Sequence, residues 1–429
     1  MDIFQRYYDL RSVFGVDSTI TDFFGKYGLA FVMVASYFGS GSVFIASSAG
    51  VRYGYALLWA VVGAVLLGYL GQDMSARLGI FGDSLAGFAR EKLGRTGATV
   101  LMLALSVGCV AWTLELTAAV GKGIVVLLGL QGVGWQPFAY LTGLAAIVVG
   151  ILGYDWVERI MTLMMFGLLV AYVVVAGASG PDLVAVARGF VPVAGDVGGM
   201  ALAVSILGTT ALWPNFFLES ELVEEKGWTD VSAVSTMRRD LGIGYAVGGL
   251  TTIAIVVTAA AVLRPAGYTQ LRTFLTPGRA LANVLGEWAM AVFLVGTLTA
   301  AFNSIVPIMW APGYMLREAL GERYADSRRA FVVIYVVGVA LGSLSPLVHQ
   351  YLGLSVIDMI LLFPAYNGVV GLPITILLLF WAVNDDDVMG GHTNGWKLNA
   401  LNSALILLAV YSAVTAGRTV IEAILSGGL

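Results

Sequence analysis

Residues 24–53 read FGKYGLAFVMVASYFGSGSVFIASSAGVRY. The stretch is apolar enough to lie in a bilayer, yet Gly39-Ser40-Gly41-Ser42 interrupts it. Glycine costs about 1 kcal/mol against alanine inside a helix, so the tetrad predicts a break. Unwound backbone at membrane depth is tolerated only where it is buried in protein or lines a cavity. Broken helices near the midplane are where many secondary transporters hold substrate. The tetrad therefore reads as half of a substrate site.

The rest of the chain supports a membrane setting. It has 429 residues, of which 59% are hydrophobic and 12% charged, and its mean hydropathy is +0.87. At about 20 apolar residues per helix there is room for roughly ten or more spans in the lipid bilayer. The net charge of -4 and the scatter of basic residues point to no nucleic acid. The single cysteine, Cys109, excludes an internal disulfide and a cysteine-based metal cluster. No phosphate loop, catalytic triad or nucleotide fingerprint is present, so neither an enzyme nor a cofactor is expected. The segment before residue 24 lacks the apolar core of a cleavable signal peptide.

Apolar runs predict an all-α integral membrane protein with eleven spans, near residues 25–50, 54–78, 97–129, 136–153, 156–178, 198–226, 236–263, 279–313, 328–349, 354–383 and 396–426. Residues 83–93, polar on one side, read as an interfacial helix. With a cytoplasmic N-terminus, sixteen Lys and Arg fall inside and six outside, and Lys122 lies within a span. That split follows the positive-inside rule, and an odd span number puts the C-terminus outside. Compactness and short loops suggest a prokaryotic inner membrane.

The sixth span, GMALAVSILGTTALWPNFFLESELVEEKGW, carries Pro214 just after Gly208, Thr209 and Thr210. Proline cannot donate a backbone hydrogen bond and breaks the helix before it. The first and sixth spans are thus both interrupted, five spans apart. Interruptions at matching positions in two halves point to a binding site at the interface of inverted repeats.

The block GSGSVFIASSAGVRYGYALL, continuing to LGQDMSARLGIFGDSLAGFAR, resembles the NRAMP family of proton-coupled divalent-metal transporters, most strongly at Ser75 to Ile80; Gly208 to Val223 matches as well. The resemblance implies a LeuT-type fold: a cytoplasmic segment 1–24, inverted five-span repeats at 25–178 and 198–383, and an eleventh span at 396–426. The family's first-span Asp-Pro-Gly-Asn is replaced here by Gly39, Ser40, Gly41 and Ser42, and its sixth-span Met-Pro-His-Asn by Leu212, Trp213, Pro214 and Asn215. Carboxylate and thioether are both gone. Manganese or iron would need carboxylate, imidazole or sulfur ligands, and magnesium usually takes one or two carboxylates. A site of hydroxyls, carbonyls and one amide is therefore expected to bind no transition metal and to carry a small polar organic solute or a weakly held cation. The Gly-Ser-Gly also looks like the first-span signature of LeuT-type amino-acid transporters, where half-helix N–H groups receive a substrate carboxylate. Trp213 could stack on such a solute or simply pack a helix.

Glu115, Lys122 and Glu219 are ionisable residues inside spans, where such residues are costly and usually functional. Glu115 and Lys122 are seven apart, on one helix face about 10 Å apart along the axis. In the resemblance Glu115 falls at a proton-pathway Asp, Ala118 replaces a second acid, and Glu219 falls at the sixth-span histidine. Proton coupling through Glu115 and Glu219 is the implied reading; Lys122 pairs with a carboxylate, stands in for a cation, or snorkels to the interface. Asn367, after Pro364, falls at a substrate-facing polar position of the family. Gln72 and Asp73 read as structural or gating, Glu287 and Asn303 as polar glue facing the bundle, and Asp385-Asp386-Asp387 as a solvated loop. The expected substrate set is Gly39–Ser42, Thr210, Leu212, Trp213, Asn215 and Asn367. Two alternatives stand beside it: a divalent-cation transporter, of Mg2+ or Mn2+, and a scaffold that no longer transports and acts as a sensor.

Overall fold

The computed structural model describes residues 27–192, 197–271, 275–360 and 367–425. The expected apolar stretches are largely helical in their described residues, with non-helical residues at 38–39 and 211–212. The first is a pair, α1 (Leu29–Tyr37) and α2 (Ser40–Tyr53), bent by 65°. It is followed by α3 (Leu58–Phe81), α4 (Leu85–Leu127), α5 (Gln136–Ile151) and α6 (Tyr154–Ala178). A short connecting helix α7 (Leu183–Gly189) leads to the sixth stretch, α8 (Val197–Thr210) and α9 (Trp213–Glu225). Then come α10 (Val234–Thr258), α11 (Thr276–Leu285), α12 (Glu287–Ala319), α13 (Glu322–Ala325), α14 (Arg328–Gly342) and α15 (Ser345–Leu352). The described chain closes with α16 (Leu372–Ala382), α17 (Asp386–Met389) and α18 (Trp396–Leu425). Among the described residues six helices are long and apolar enough to cross a membrane, or seven if the bent α1–α2 pair is one span.

The bundle has a wholly buried centre and an apolar outside. Every residue of α1 is buried, and the most apolar stretch of α10 is 78% buried against 39% for α6. α4, α5 and α6 turn Leu103, Val107, Leu144, Leu163 and Val170 outward, as a surface solvated by lipid tails requires. In hydrocarbon, helices gain little from burying apolar faces against each other and pack through small residues instead. Gly50 of α2 shows this: a Cβ there would lie 2.4 Å from the Val256 carbonyl oxygen and 2.7 Å from Ala259 Cβ, both on α10 or its continuation. Gly68 and Gly71 admit Tyr245 and Phe216 against α3 in the same way.

Three sequence expectations shift. The interfacial segment and the third span form one helix, kinked at Gly94 (φ 69°, ψ 165°), and Leu85–Ala89 are buried against the bundle. The eighth span starts at Glu287 rather than 279, because Gly286 at φ 96° ends α11 and starts a new helix that runs to Ala319. Glu287 therefore sits exposed at a helix start and does not face the bundle. The acidic run is also structured: Asp385 caps α17 and pairs with Lys92 at 2.9 Å. That bond holds the Asp385 carboxyl below its usual range, and with Glu91 it lifts the Lys92 ammonium to about 12.

Close packing at Gly50 yields a direct check. Gly50→Ala should lower thermal stability by about 1–3 kcal/mol, since the contacts it meets are backbone and cannot yield cheaply. Gly63→Ala on α3, where a Cβ meets nothing within 4 Å, should leave the melting temperature unchanged or raise it.

Candidate functional site

The break in the first span is shorter than the tetrad. α1 ends at Tyr37, Phe38 and Gly39 are unwound, and Ser40, Gly41 and Ser42 form the first turn of α2. Ser42 Oγ donates to the Tyr37 carbonyl at 2.6 Å, satisfying a carbonyl freed where α1 ends. Gly39 fits between Leu116 of α4 and Ser304 of α12; a Cβ there would lie 3.1 Å from each. Ser304 Oγ in turn donates to the Ala35 carbonyl at 2.8 Å.

Ser40 carries the feature that composition hid. Its hydroxyl donates to Oε1 of Glu115, on α4, and Glu115 is fully buried with Oε2 unpaired. The carboxylate is therefore set at the N-terminus of α2, where a helix presents free N–H groups and a partial positive charge. The expectation of an uncharged site is corrected here: the acid missing from the tetrad is supplied by a neighbouring helix. Asn303, buried on α12 beside Ser304, also has both amide atoms unpaired.

The second break falls at Ala211 and Leu212, with Leu212 extended as the N-cap of α9 and Pro214 in its first turn. Pro214 there needs no N–H partner. Asn215 joins the two breaks: its Nδ2 donates to the Met33 carbonyl of α1 at 2.8 Å, and its Oδ1 is unpaired. Thr210 is turned into its own helix, donating to the Ile206 carbonyl at 2.9 Å. Trp213 lies against Gly371, where a Cβ would fall 2.2 Å from its Nε1. Its ring packs the bundle edge-on to Phe217, with ring centroids 6.1 Å apart. Asn367 opens a π-helical turn, Asn367–Gly371; its side chain lies outside the described residues, as do Pro364 and Tyr366.

Of the ionisable residues, Lys122 is half-buried and, among the described residues, forms no ion pair with Glu115 or any other acid. Glu219 of α9 is fully buried with both oxygens unpaired. Sequence reasoning missed Asp240. Its Oδ1 accepts from the Gly28 N–H at 2.7 Å and its Oδ2 from the Ala30 N–H at 2.8 Å, capping α1 from a residue 212 positions away. Beside it, Lys226 at the end of α9 pairs with Glu158 of α6 at 2.8 Å, and Tyr154 donates to the same carboxylate at 3.1 Å. No local signal marks the Asp240 cap or the Glu158–Lys226 pair, because the partners lie 212, 210 and 68 positions apart. Asp73, read as structural, holds Arg77 at 2.9 Å and Arg238 at 2.6 Å. Among the described residues no three His, Cys, Asp or Glu side chains converge as a metal cage.

Two half-helix breaks meeting at the centre of an all-helical bundle is the arrangement of the LeuT-type fold. The family described as natural resistance-associated macrophage protein-like matches residues 30–417. The chain belongs to this family. Among curated NRAMP relatives, the divalent metal cation transporter MntH of Pectobacterium carotovorum is 28% identical over 285 residues, covering 65% of this chain and 68% of its own. Among solved structures, a mutant of the Eremococcus coleocola manganese transporter covers 96% of this chain and 90% of its own, with a TM-score of 0.79 at 18% identity. MhsT in complex with L-phenylalanine has a TM-score of 0.59 at 16% identity, covering 91% of this chain and 97% of its own. These two show the fold. The chain is an integral membrane protein and a transporter of the NRAMP family.

Asp240 gives a test of how α1 is held. Asp240→Ala leaves two buried N–H groups without acceptors and should cost about 1–3 kcal/mol per orphaned group. Asp240→Asn keeps one acceptor oxygen and should fall between that variant and the parent. Equal melting temperatures for all three would show that the cap carries no stability.

Proposed function

We propose that this protein is a secondary transporter of a hard divalent cation, of the magnesium or manganese class, bound at the first-span break with Glu115 as its charged ligand. The observation that carries this reading is the Glu115 carboxylate at the N-terminus of α2, hydrogen-bonded to Ser40 with its second oxygen unpaired. A substrate carboxylate would have to enter the position that Glu115 already occupies, against like charge. A cation would meet there one unpaired carboxylate oxygen, with the unpaired Asn215 Oδ1 of the second break as a neutral oxygen donor. Magnesium-class ions keep several waters and are commonly held by one or two carboxylates. The set has no sulfur and no imidazole, so it gives no preference for softer metals. The NRAMP relatives named as divalent metal cation transporters support a cation over an organic solute.

Alternating access follows from the two breaks: α1 and α9 are separate from α2 and α8 and free to tilt as half-helices about them. Glu219 is then the buried carboxylate that remains for the driving ion, which the family resemblance gives as a proton. The loop charge bias favours a cytoplasmic N-terminus, and the bacterial MntH relatives favour a prokaryotic inner membrane.

Isothermal titration of the purified protein with Mg2+ and Mn2+ tests the substrate. Binding should weaken about 10-fold or more in Glu115→Gln and less in Ser40→Ala, which leaves the carboxylate but loosens its aim. Absence of binding by either ion, with stabilisation by small organic acids, would replace the cation with an organic solute.

A further inference from the structure

The start of α1 is fastened by residues from three other helices. A helix is ordinarily capped by a side chain at its own N-cap. The N-cap of α1 is Gly28, which has no side chain to offer. The cap comes instead from Asp240 of α10, which accepts from the Gly28 and Ala30 N–H groups at 2.7 and 2.8 Å. The Glu158 carboxylate of α6 lies against the same glycine: a Cβ on Gly28 would fall 2.7 Å from Glu158 Cδ. Lys226, the C-cap of α9, holds that carboxylate at 2.8 Å, and Tyr154 donates to it at 3.1 Å. Gly28 is thus the point at which α1, α6, α9 and α10 meet. The contacts are closed to solvent, with side-chain exposures of 8% for Glu158 and 4% for Lys226 and none for Asp240.

A buried ion pair adds little stability over a well-packed apolar pair, but removing one partner is costly. What this arrangement supplies is a conditional attachment. The first N–H groups of α1 have their acceptor only while α1 is docked, because the acceptor belongs to another helix. The groups involved sit at or near helix ends: the starts of α1, α6 and α10 and the end of α9. Water can satisfy N–H groups at a helix end as a side chain does. Release of α1 at this end of the bundle therefore exchanges protein contacts for water, a choice that backbone at membrane depth lacks.

We propose that Asp240 and the Glu158–Lys226 pair form a latch that keeps α1 docked, and that its release opens the broken site to the face on which α1 begins. The inference rests on the transporter reading above and names the contacts that gate it. Gly28 makes the latch fit, since a side chain there would push the Glu158 carboxylate away from Lys226.

The test is labelling of one cysteine in the full-length protein in detergent by a water-soluble maleimide. The reporter is Val32→Cys on α1, where every residue is buried, with the native Cys109 replaced by alanine. Glu158→Gln, Lys226→Gln and Gly28→Ala should each speed labelling about tenfold or more, since each breaks the buried pair or displaces one partner. Combining Glu158→Gln with Lys226→Gln should give labelling no faster than the faster single variant, because the two residues act as one contact. The same variants are also labelled without Val32→Cys and with Cys109, buried on α4, as the sole cysteine; it should stay protected. Labelling of Val32→Cys at the parent rate in all three single variants overturns the proposal. So do effects that multiply in the double variant, and so does Cys109 reacting as fast as the reporter, which marks general loosening. No substrate is present in these measurements. Absence of Mg2+ and Mn2+ binding would overturn the cation reading and leave the latch standing.

Discussion

The structure depends on a hydrogen bond between a helix start and a buried acid. Ser40 opens α2 inside the membrane, where its first N–H groups have no water to bond and no preceding turn to use. Glu115 meets this end from α4, where its Oε1 accepts from the Ser40 hydroxyl at the positive end of the half-helix. The break persists because Gly39 is small enough to sit between Leu116 and Ser304, and because Ser42 and Ser304 take up the Tyr37 and Ala35 carbonyls. Each of these bonds satisfies a group that unwinding would otherwise orphan in hydrocarbon.

The other end of α1 is held by the same logic with different residues. Asp240 caps the first N–H groups from α10, and the Glu158–Lys226 pair ties α6 to the end of α9 beside it. In this state α1 is thus fastened at one end by a carboxylate cap and at the other by Ser42. Asn215 links it to α9 midway. Every residue of α1 is buried as well, so apolar packing and these few polar contacts hold the half-helix together, and both are exchanged when it moves. That property is what links the bonding pattern to transport.

The two breaks were legible in the sequence because glycine, serine and proline act locally. Gly39–Ser42 and Pro214 mark the unwound points to within a few residues, and the long apolar runs mark the helices. Their chemistry was less legible. Glu115 lies 75 positions from Ser40, and no spacing rule joins residues that only tertiary packing brings together. Reading the tetrad alone suggested a site without a carboxylate, which the position of Glu115 corrects. Asp240 was invisible for the same reason. Trp213 had two readings from sequence; its ring packs against Gly371 and its buried Nε1 has no hydrogen-bond partner. The start of the eighth span was misplaced because a single glycine, Gly286, outweighs the apolar pattern around it.

Transport of a divalent cation at the first-span break requires that the ion sit beside Glu115. Manganese accepts the carboxylate, carbonyl and water ligands that magnesium does, and its anomalous scattering locates it. A crystal of the full-length protein soaked in Mn2+ should show one anomalous peak within coordination distance of the Glu115 carboxylate at the α1–α2 break, about 2.0–2.2 Å for a magnesium-class ion. No peak at that break, or a peak confined to the exposed acidic loops, would contradict the claim that the acid completing the broken helix also receives the substrate.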